Sequence, residues 1–191
     1  MHAAVLVPVK AFSRAKLRLA PALDARAREA LARTMAARVL AAAAPLAVAV
    51  VCDDDDVATW ALDQGATVVW APRRGLDGAV AEGVRHLGAL GYQRVVVAHA
   101  DLPLAAGLAD LAEGTGVTLV PDRRDDGTNV AVVALTAGFR FAYGAGSFHR
   151  HCAEADRLGL PVRVVRLANL AWDVDLPADL DFPAQEAITC R

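Results

Sequence analysis

The sequence predicts one doubly wound α/β domain, on three observations. Strand-like and helix-like segments alternate along a chain of 191 residues, the usual size of a single domain. The strand-like segments are continuously apolar rather than alternating, as expected of strands buried on both faces of a mostly parallel sheet. No stretch between them reads as a linker, an internal repeat or a low-complexity tract.

Each element has a local reason. Ala3–Val9 is a valine-rich run and reads as a first strand, ended near Pro8. Asp24 can cap a helix over about Ala25–Ala44, which Pro45 stops. Ala47–Cys52 reads as the second strand. The acidic run Asp53–Asp56 suits a helix N-terminus, where carboxylates meet the positive end of the dipole, and that helix runs through Leu62 to Gly65. Thr67–Ala71 is the third strand; Pro72–Gly75 turns into a helix reaching about Leu90. Arg94–Ala98 is the fourth strand. Asp101-Leu-Pro103 opens a short helix to about Glu113. Val117–Val120 and Val130–Leu135 are strands on either side of the polar loop Pro121–Gly127. Ser147 can cap a helix to Leu158, and Val162–Val165 closes the pattern.

Composition narrows the function. The net charge is -2, from 20 basic and 22 acidic residues, so no global field attracts nucleic acid or membrane. The longest apolar run, Val39–Cys52, is 14 residues and contains Pro45, short of the roughly 18 that a membrane helix needs. No basic n-region precedes an apolar core at the N-terminus. Cys52, Cys152 and Cys190 are an odd number without CxxC spacing, which suits a reducing cytoplasm and argues against a disulfide framework or zinc knuckle.

Ligands of doubly wound sheets bind beyond the carboxyl ends of the strands, so the loops there carry the chemistry. Lys10 and Lys16, the only lysines, share the segment Lys10–Arg18 with Arg14 and Arg18, and that segment holds no acid. No glycine precedes Gly65. Neither a GxGxxG nor a GxxxxGK[ST] loop is present, so phosphate would be held by side chains more than by backbone amides. Trp172–Asp181 is the converse, with four aspartates and no cation. The two segments are either separate solvated loops or, if they meet, the halves of a metal–polyphosphate site.

Asp101 follows the fourth strand and suits either a Mg²⁺ ligand or a helix cap. Asp173 and Asp175 lie two apart, so in extended backbone they point the same way. One could complete a magnesium site with Asp101, while Asp175 is the better cap for a helix after Pro177. Tyr143-Gly-Ala-Gly-Ser147 leads into a helix and could expose amides to an anion. Gly127-Thr128-Asn129 is a further polar clue. His99, His149 and His151 make no zinc triad; structural roles suit His99 and His149.

Together these segments resemble one family, the 2-phospho-L-lactate or phosphoenolpyruvate guanylyltransferases that make the deazaflavin coenzyme of methanogens and actinobacteria. The likeness rests on VPVKAFSRAKLRLAP, VVVAHADLPL, PDRRDDGTNV, FAYGAGSFHRH and DVDLPADL, in that order. It implies a single nucleotidyltransferase domain over 1–191, a Rossmann-like three-layer sandwich with a mostly parallel mixed sheet. That is the nucleotide-diphospho-sugar transferase type, as in the molybdenum-cofactor nucleotidyltransferases. It implies GTP and a phosphorylated three-carbon acid as substrates and Mg²⁺ as cofactor, in the cytoplasm. By motif, Asp101 and Asp173 look like metal ligands and Lys10 and Lys16 like triphosphate contacts, beside Arg14 and Arg18. Lys16, Asp101 and Asp173 are then the catalytic candidates. Thr128, Gly144 and Ser147 look like the acceptor pocket. A homodimer is compatible with the sequence but not read from it.

Leu17, Asp77 and Asp126 depart from the family pattern, which favours a small hydroxyl residue, asparagine and glycine at those places. Two other readings therefore stay open: a transferase of the same fold using CTP or another acceptor, and a catalytically silent nucleotide-binding protein.

Overall fold

The computed structural model describes residues 2–181; Cys190 lies outside them. Seven strands form one sheet in the order β3-β2-β1-β4-β6-β5-β7. They are β1 (Ala3–Pro8), β2 (Ala47–Cys52), β3 (Thr67–Trp70), β4 (Arg94–Ala98), β5 (Val117–Pro121), β6 (Thr128–Ala134) and β7 (Val162–Val164). All neighbours are parallel except at β6, which runs antiparallel to both β4 and β5. Continuous apolarity reports burial on both faces and not direction, so the reversal of β6 was invisible in its residues.

The strands divide their side chains between two cores. Val5, Val7, Val50, Val96 and Val132 meet α1 (Ala25–Ala41) and α2 (Asp55–Asp63) on one face. Leu6, Val95, Val97, Leu119 and Val133 meet α3 (Gly75–Ala89) and α4 (Ser147–Arg157) on the other. These are the three layers of an α/β sandwich.

Three local expectations change. The first long helix ends at Ala41, because Ala42 already closes it before the turn into Pro45. The helix expected after Pro103 is only a 3-10 turn, Ala109–Ala112. There the Leu108 amide bonds to Ala42 O at 3.1 Å instead of continuing a helical ladder, and Gly107 has φ +71°. Ser147 is the first residue of α4 rather than its cap, which is Gly146 at φ +71°.

The topology positions the site. Chain connections leave β1 toward β2 on one side, while β4 flanks it on the other, and a crevice opens at such a reversal. Because β6 runs backwards, its first residues lie at the carboxyl end of β4. The His99 amide donates to Asn129 O at 3.0 Å across that junction.

Candidate active site

A cleft of about 550 Å³ opens at the carboxyl ends of β1, β2 and β4. The loop after β1 contributes Lys10, Arg14, Lys16 and Arg18, and the loops after β2 and β4 contribute Asp53, His99 and Asp101. Gly144 and Asp175 complete the rim. The cationic segment and the acidic loop therefore share one cavity.

Lys16 joins them. Its Nζ lies 2.6 Å from Asp101 Oδ2 and 3.0 Å from Asp175 Oδ1. Arg18 stands farther out, 4.0 Å from Asp175. Lys16 adopts φ +54°, a left-handed backbone unusual for a residue with a Cβ, and from it the side chain reaches both carboxylates. Burial alone would lower the Lys16 pKa, but the carboxylates of Asp101 and Asp175 outweigh it and raise it. Burial likewise opposes ionisation of Asp101, and the Lys16 ammonium reverses that, holding the carboxyl below its usual range.

Asp173 lies next to Asp101 through the backbone, since the amide of Val174 donates to Asp101 O at 3.2 Å. Burial first, and then the charge of Asp101, push the Asp173 pKa up to about 6. One buried oxygen of each, Asp101 Oδ1 and Asp173 Oδ1, has no hydrogen-bond partner among the described residues. Two repelling carboxylates with orphaned oxygens fit a divalent cation. No group of three or more His, Cys, Asp or Glu gathers for a metal among the described residues. Two carboxylates with oxygen donors suit a hard cation such as Mg²⁺, which takes one or two carboxylates and fills its shell with water and substrate oxygens.

Asp179 shapes this loop. Fully buried, its Oδ2 accepts from the amides of Asp175 and Leu176 at 2.9 and 2.7 Å, while Arg123 and Arg124 pair with its other oxygen. Arg123 also donates to Asp173 O at 3.2 Å and stacks on Trp172 at 4.3 Å. Asp175, expected as a helix cap, is instead a partner of Lys16. The cap position belongs to Leu176, and the following helix is a 3-10 turn, Pro177–Leu180.

Behind Gly144, and not themselves lining the cleft, Thr128 and Ser147 are buried: Ser147 Oγ accepts from the Thr128 amide at 3.0 Å, and Thr128 Oγ1 lies 3.0 Å from Nδ1 of buried His151. Gly144 holds φ +99° in the loop above them. Arg150 gathers that loop's carbonyls, with Nη1 2.6 Å from Ala145 O and Nη2 3.0 Å from Ala142 O. The expected exposure of α4's first amides is reduced, because Asp126 occupies two of them. Its Oδ1 accepts from Gly146 N and its carbonyl from Phe148 N, both at 3.0 Å. Asp77 accepts from the Tyr143 amide at 2.8 Å, tying α3 to the same loop. His99, expected to be structural, lines the cleft, and its Nε2 and the nearby Tyr143 Oη are buried without partners among the described residues. The acidic run behaves as expected: Asp54 caps α2 and Asp56 pairs with Arg33.

The family model described as guanylyl transferase CofC like matches residues 3–182, nearly the whole chain. The chain belongs to that family. Among relatives within and around it, the phosphoenolpyruvate guanylyltransferase of Sphaerobacter thermophilus is 37% identical, covering 98% of this chain and 95% of its own. The 2-phospho-L-lactate guanylyltransferase of Methanothermobacter thermautotrophicus is 31% identical, over 94% and 82%. A nucleotidyl transferase from Methanothermobacter, 16% identical, superposes with a TM-score of 0.66 over 94% of each chain. That likeness shows the fold, a nucleotidyltransferase sandwich. All three departures of this CofC-like chain now have places. Asp77 and Asp126 both bond to amides of the loop around Gly144, and Leu17 is exposed at the cleft rim.

Proposed function

We propose that this chain transfers GMP from GTP to the phosphate of a phosphorylated three-carbon acid, phosphoenolpyruvate or 2-phospho-L-lactate, in deazaflavin coenzyme biosynthesis. The observation that carries the reading is one cleft lined by Lys10, Arg14, Lys16, Arg18 and Asp101, with Lys16 paired to Asp101 and Gly144 on its rim.

A phosphate oxygen of the acceptor attacks the α-phosphorus of GTP. The new P–O bond forms as the α–β bridge breaks, and pyrophosphate leaves with the electron pair. The attacking phosphomonoester is already anionic, its second pKa being about 6, so no general base is required. The obstacle is repulsion, about 4 kcal/mol for each like-charge pair at ~4 Å in an effective dielectric of about 20.

The cationic loop answers that repulsion on the leaving-group side. Lys10, Arg14 and Arg18 face the cleft, where they would stabilise charge gathering on pyrophosphate. The Lys16 ammonium has three protons, and its carboxylate partners use two; the third is available to a phosphate oxygen. Asp101 and Asp173 would hold Mg²⁺, which when bound supplies charge neutralisation and in-line orientation of the phosphates. Thr128, Gly144 and Ser147 would seat the acceptor.

The test is pyrophosphate release with GTP, CTP, ATP or UTP, each paired with phosphoenolpyruvate, 2-phospho-L-lactate or 3-phosphoglycerate in Mg²⁺, the product weighed by mass spectrometry. GTP with one of the first two acceptors is expected to react. Asp101→Asn and Asp173→Asn are expected to lower turnover at least about 100-fold with unchanged circular dichroism. Normal pyrophosphate release by both variants would refute the roles of these carboxylates, and a preference for CTP would refute the guanylyl assignment.

A further inference from the structure

His151 is fully buried on α4, within a ring of Phe139, Phe141 and Tyr143 whose centroids lie 5.7, 6.1 and 5.0 Å from its own. Each imidazole nitrogen has one polar partner. The backbone amide of Ala142 donates to Nε2 at 3.0 Å, and Nδ1 faces Thr128 Oγ1 at 3.0 Å. An amide N–H can only donate, so Nε2 carries no proton. Burial, the largest influence on this ring, pushes its pKa down to about 4, so the imidazole is neutral near pH 7. A neutral imidazole has one N–H, which must then sit on Nδ1 and point at Thr128.

This fixes the direction of a second hydrogen bond. Thr128 Oγ1 accepts from His151, so its own proton is turned elsewhere. Ser147 Oγ accepts from the Thr128 amide at 3.0 Å, leaving its proton free as well. Among the described residues neither hydroxyl proton has a protein acceptor, yet both residues are 1% exposed. Buried hydroxyl groups seldom leave hydrogen bonds unmade. Each adjoins a residue that does line the cleft: Thr128 precedes Asn129, whose carbonyl accepts from the His99 amide, and the Ser147 amide donates to Gly144 O, both at 3.0 Å.

We propose that His151 is a positioning residue: in its Nδ1–H form it occupies one lone pair of Thr128 Oγ1 and turns the hydroxyl proton away from the ring, and this proton together with that of Ser147 meets an anionic oxygen of the acceptor. The proposal rests on the acceptor assignment above and deepens it. Its chemical content is polarity. An anion needs donors, and a hydroxyl free to rotate would present its lone pairs part of the time. The Ala142 amide restricts that freedom from three hydrogen bonds away, through His151 and Thr128.

The experiment has two arms. Nitrogen-15 NMR of histidine-labelled protein, with His151 identified by the signal lost in His151→Asn, is expected to show a protonated Nδ1 and a bare Nε2 at pH 7. The opposite tautomer overturns the proposal. In steady-state kinetics with GTP, Mg²⁺ and phosphoenolpyruvate, His151→Leu is expected to raise the acceptor KM about tenfold and to leave the GTP KM within about twofold. His151→Asn, whose Nδ2 reproduces the Nδ1–H, should recover most of that loss. Thr128→Val should match His151→Leu, and the double variant should be no worse than either. An Asn variant as impaired as Leu, or a loss shared equally by both substrates, overturns the proposal. If His151→Leu does not fold, Thr128→Val against Thr128→Ser makes the same comparison, Ser being expected to keep the low KM. Wild-type protein that transfers guanylyl to no acceptor refutes the functional reading instead. Phosphoenolpyruvate is then titrated against the His151 signals, and their failure to move overturns the positioning role too.

Discussion

At the scale of one residue, Lys16 is the most consequential side chain in the cleft. It lies 85 positions from Asp101 and 159 from Asp175 in sequence, yet bonds to both. Its basic segment could be seen in the sequence as a phosphate contact, but its carboxylate partners could not, because ion pairing depends on distances that only folding sets. The ammonium and Asp101 are both mostly buried, so removing the cation strands a charge. We expect Lys16→Ala to lower stability by roughly 2–4 kcal/mol, read from denaturant midpoints, and to raise the GTP KM more than the acceptor KM. Lys16→Gly removes the same charge but tolerates φ +54°, and should be more stable than the alanine variant by about 1 kcal/mol. Equal stabilities would show that the left-handed backbone carries no strain.

At the scale of an element, the loop from Trp172 to Leu180 is held by one carboxylate. Asp179 binds two of the loop's amides and two arginines from the β5–β6 connection. Burial raises its pKa, but the Leu176 and Asp175 amides and then Arg123 outweigh that and bring it down to about 2. The folded value lies below that of the unfolded chain, so the unfolded state binds more protons at acidic pH. The stabilisation is complete above about pH 4 and lost as pH falls through about 2, on the order of 2 kcal/mol. Asp179→Asn should therefore be less stable than the wild type at pH 7, with the difference shrinking toward pH 2; a gap independent of pH would refute the linkage. In the sequence Asp179 is one of four similar aspartates. Nothing local separates the buried anchor Asp179 from Asp173, with its raised pKa, or from Asp175, half exposed beside Lys16.

At the scale of the whole molecule, one sheet carries two cores and a cleft at its carboxyl edge, and acid reaches that arrangement through His151. Its folded pKa, about 4, is below the ordinary value of 6.5, so the unfolded chain takes up the proton first. The His151 contribution to stability should fall away as pH drops from about 6.5 toward 4, by on the order of 3 kcal/mol, partly offset by Asp173, whose raised pKa acts in the opposite sense, and is read as the difference between wild-type and His151→Asn thermal melts across that range. A His151→Asn protein should lack that part of the decline; an identical slope would show that another group is responsible. The layers, most strands and the cationic loop were legible in the sequence, since strand burial and helix caps are set by neighbours along the chain. β2 and β4 fall where their valine runs end. The reversal of β6 was not legible, because an apolar strand looks the same in either direction. Local chemistry thus determined the elements and the residue types at the carboxyl edge, together with motifs enough to suggest the family. Only the tertiary structure decided which aspartate meets Lys16, which carboxyl oxygens are left bare and which nitrogen of His151 holds its proton, because each depends on partners brought within 3 Å or so of one another by packing and not by sequence order.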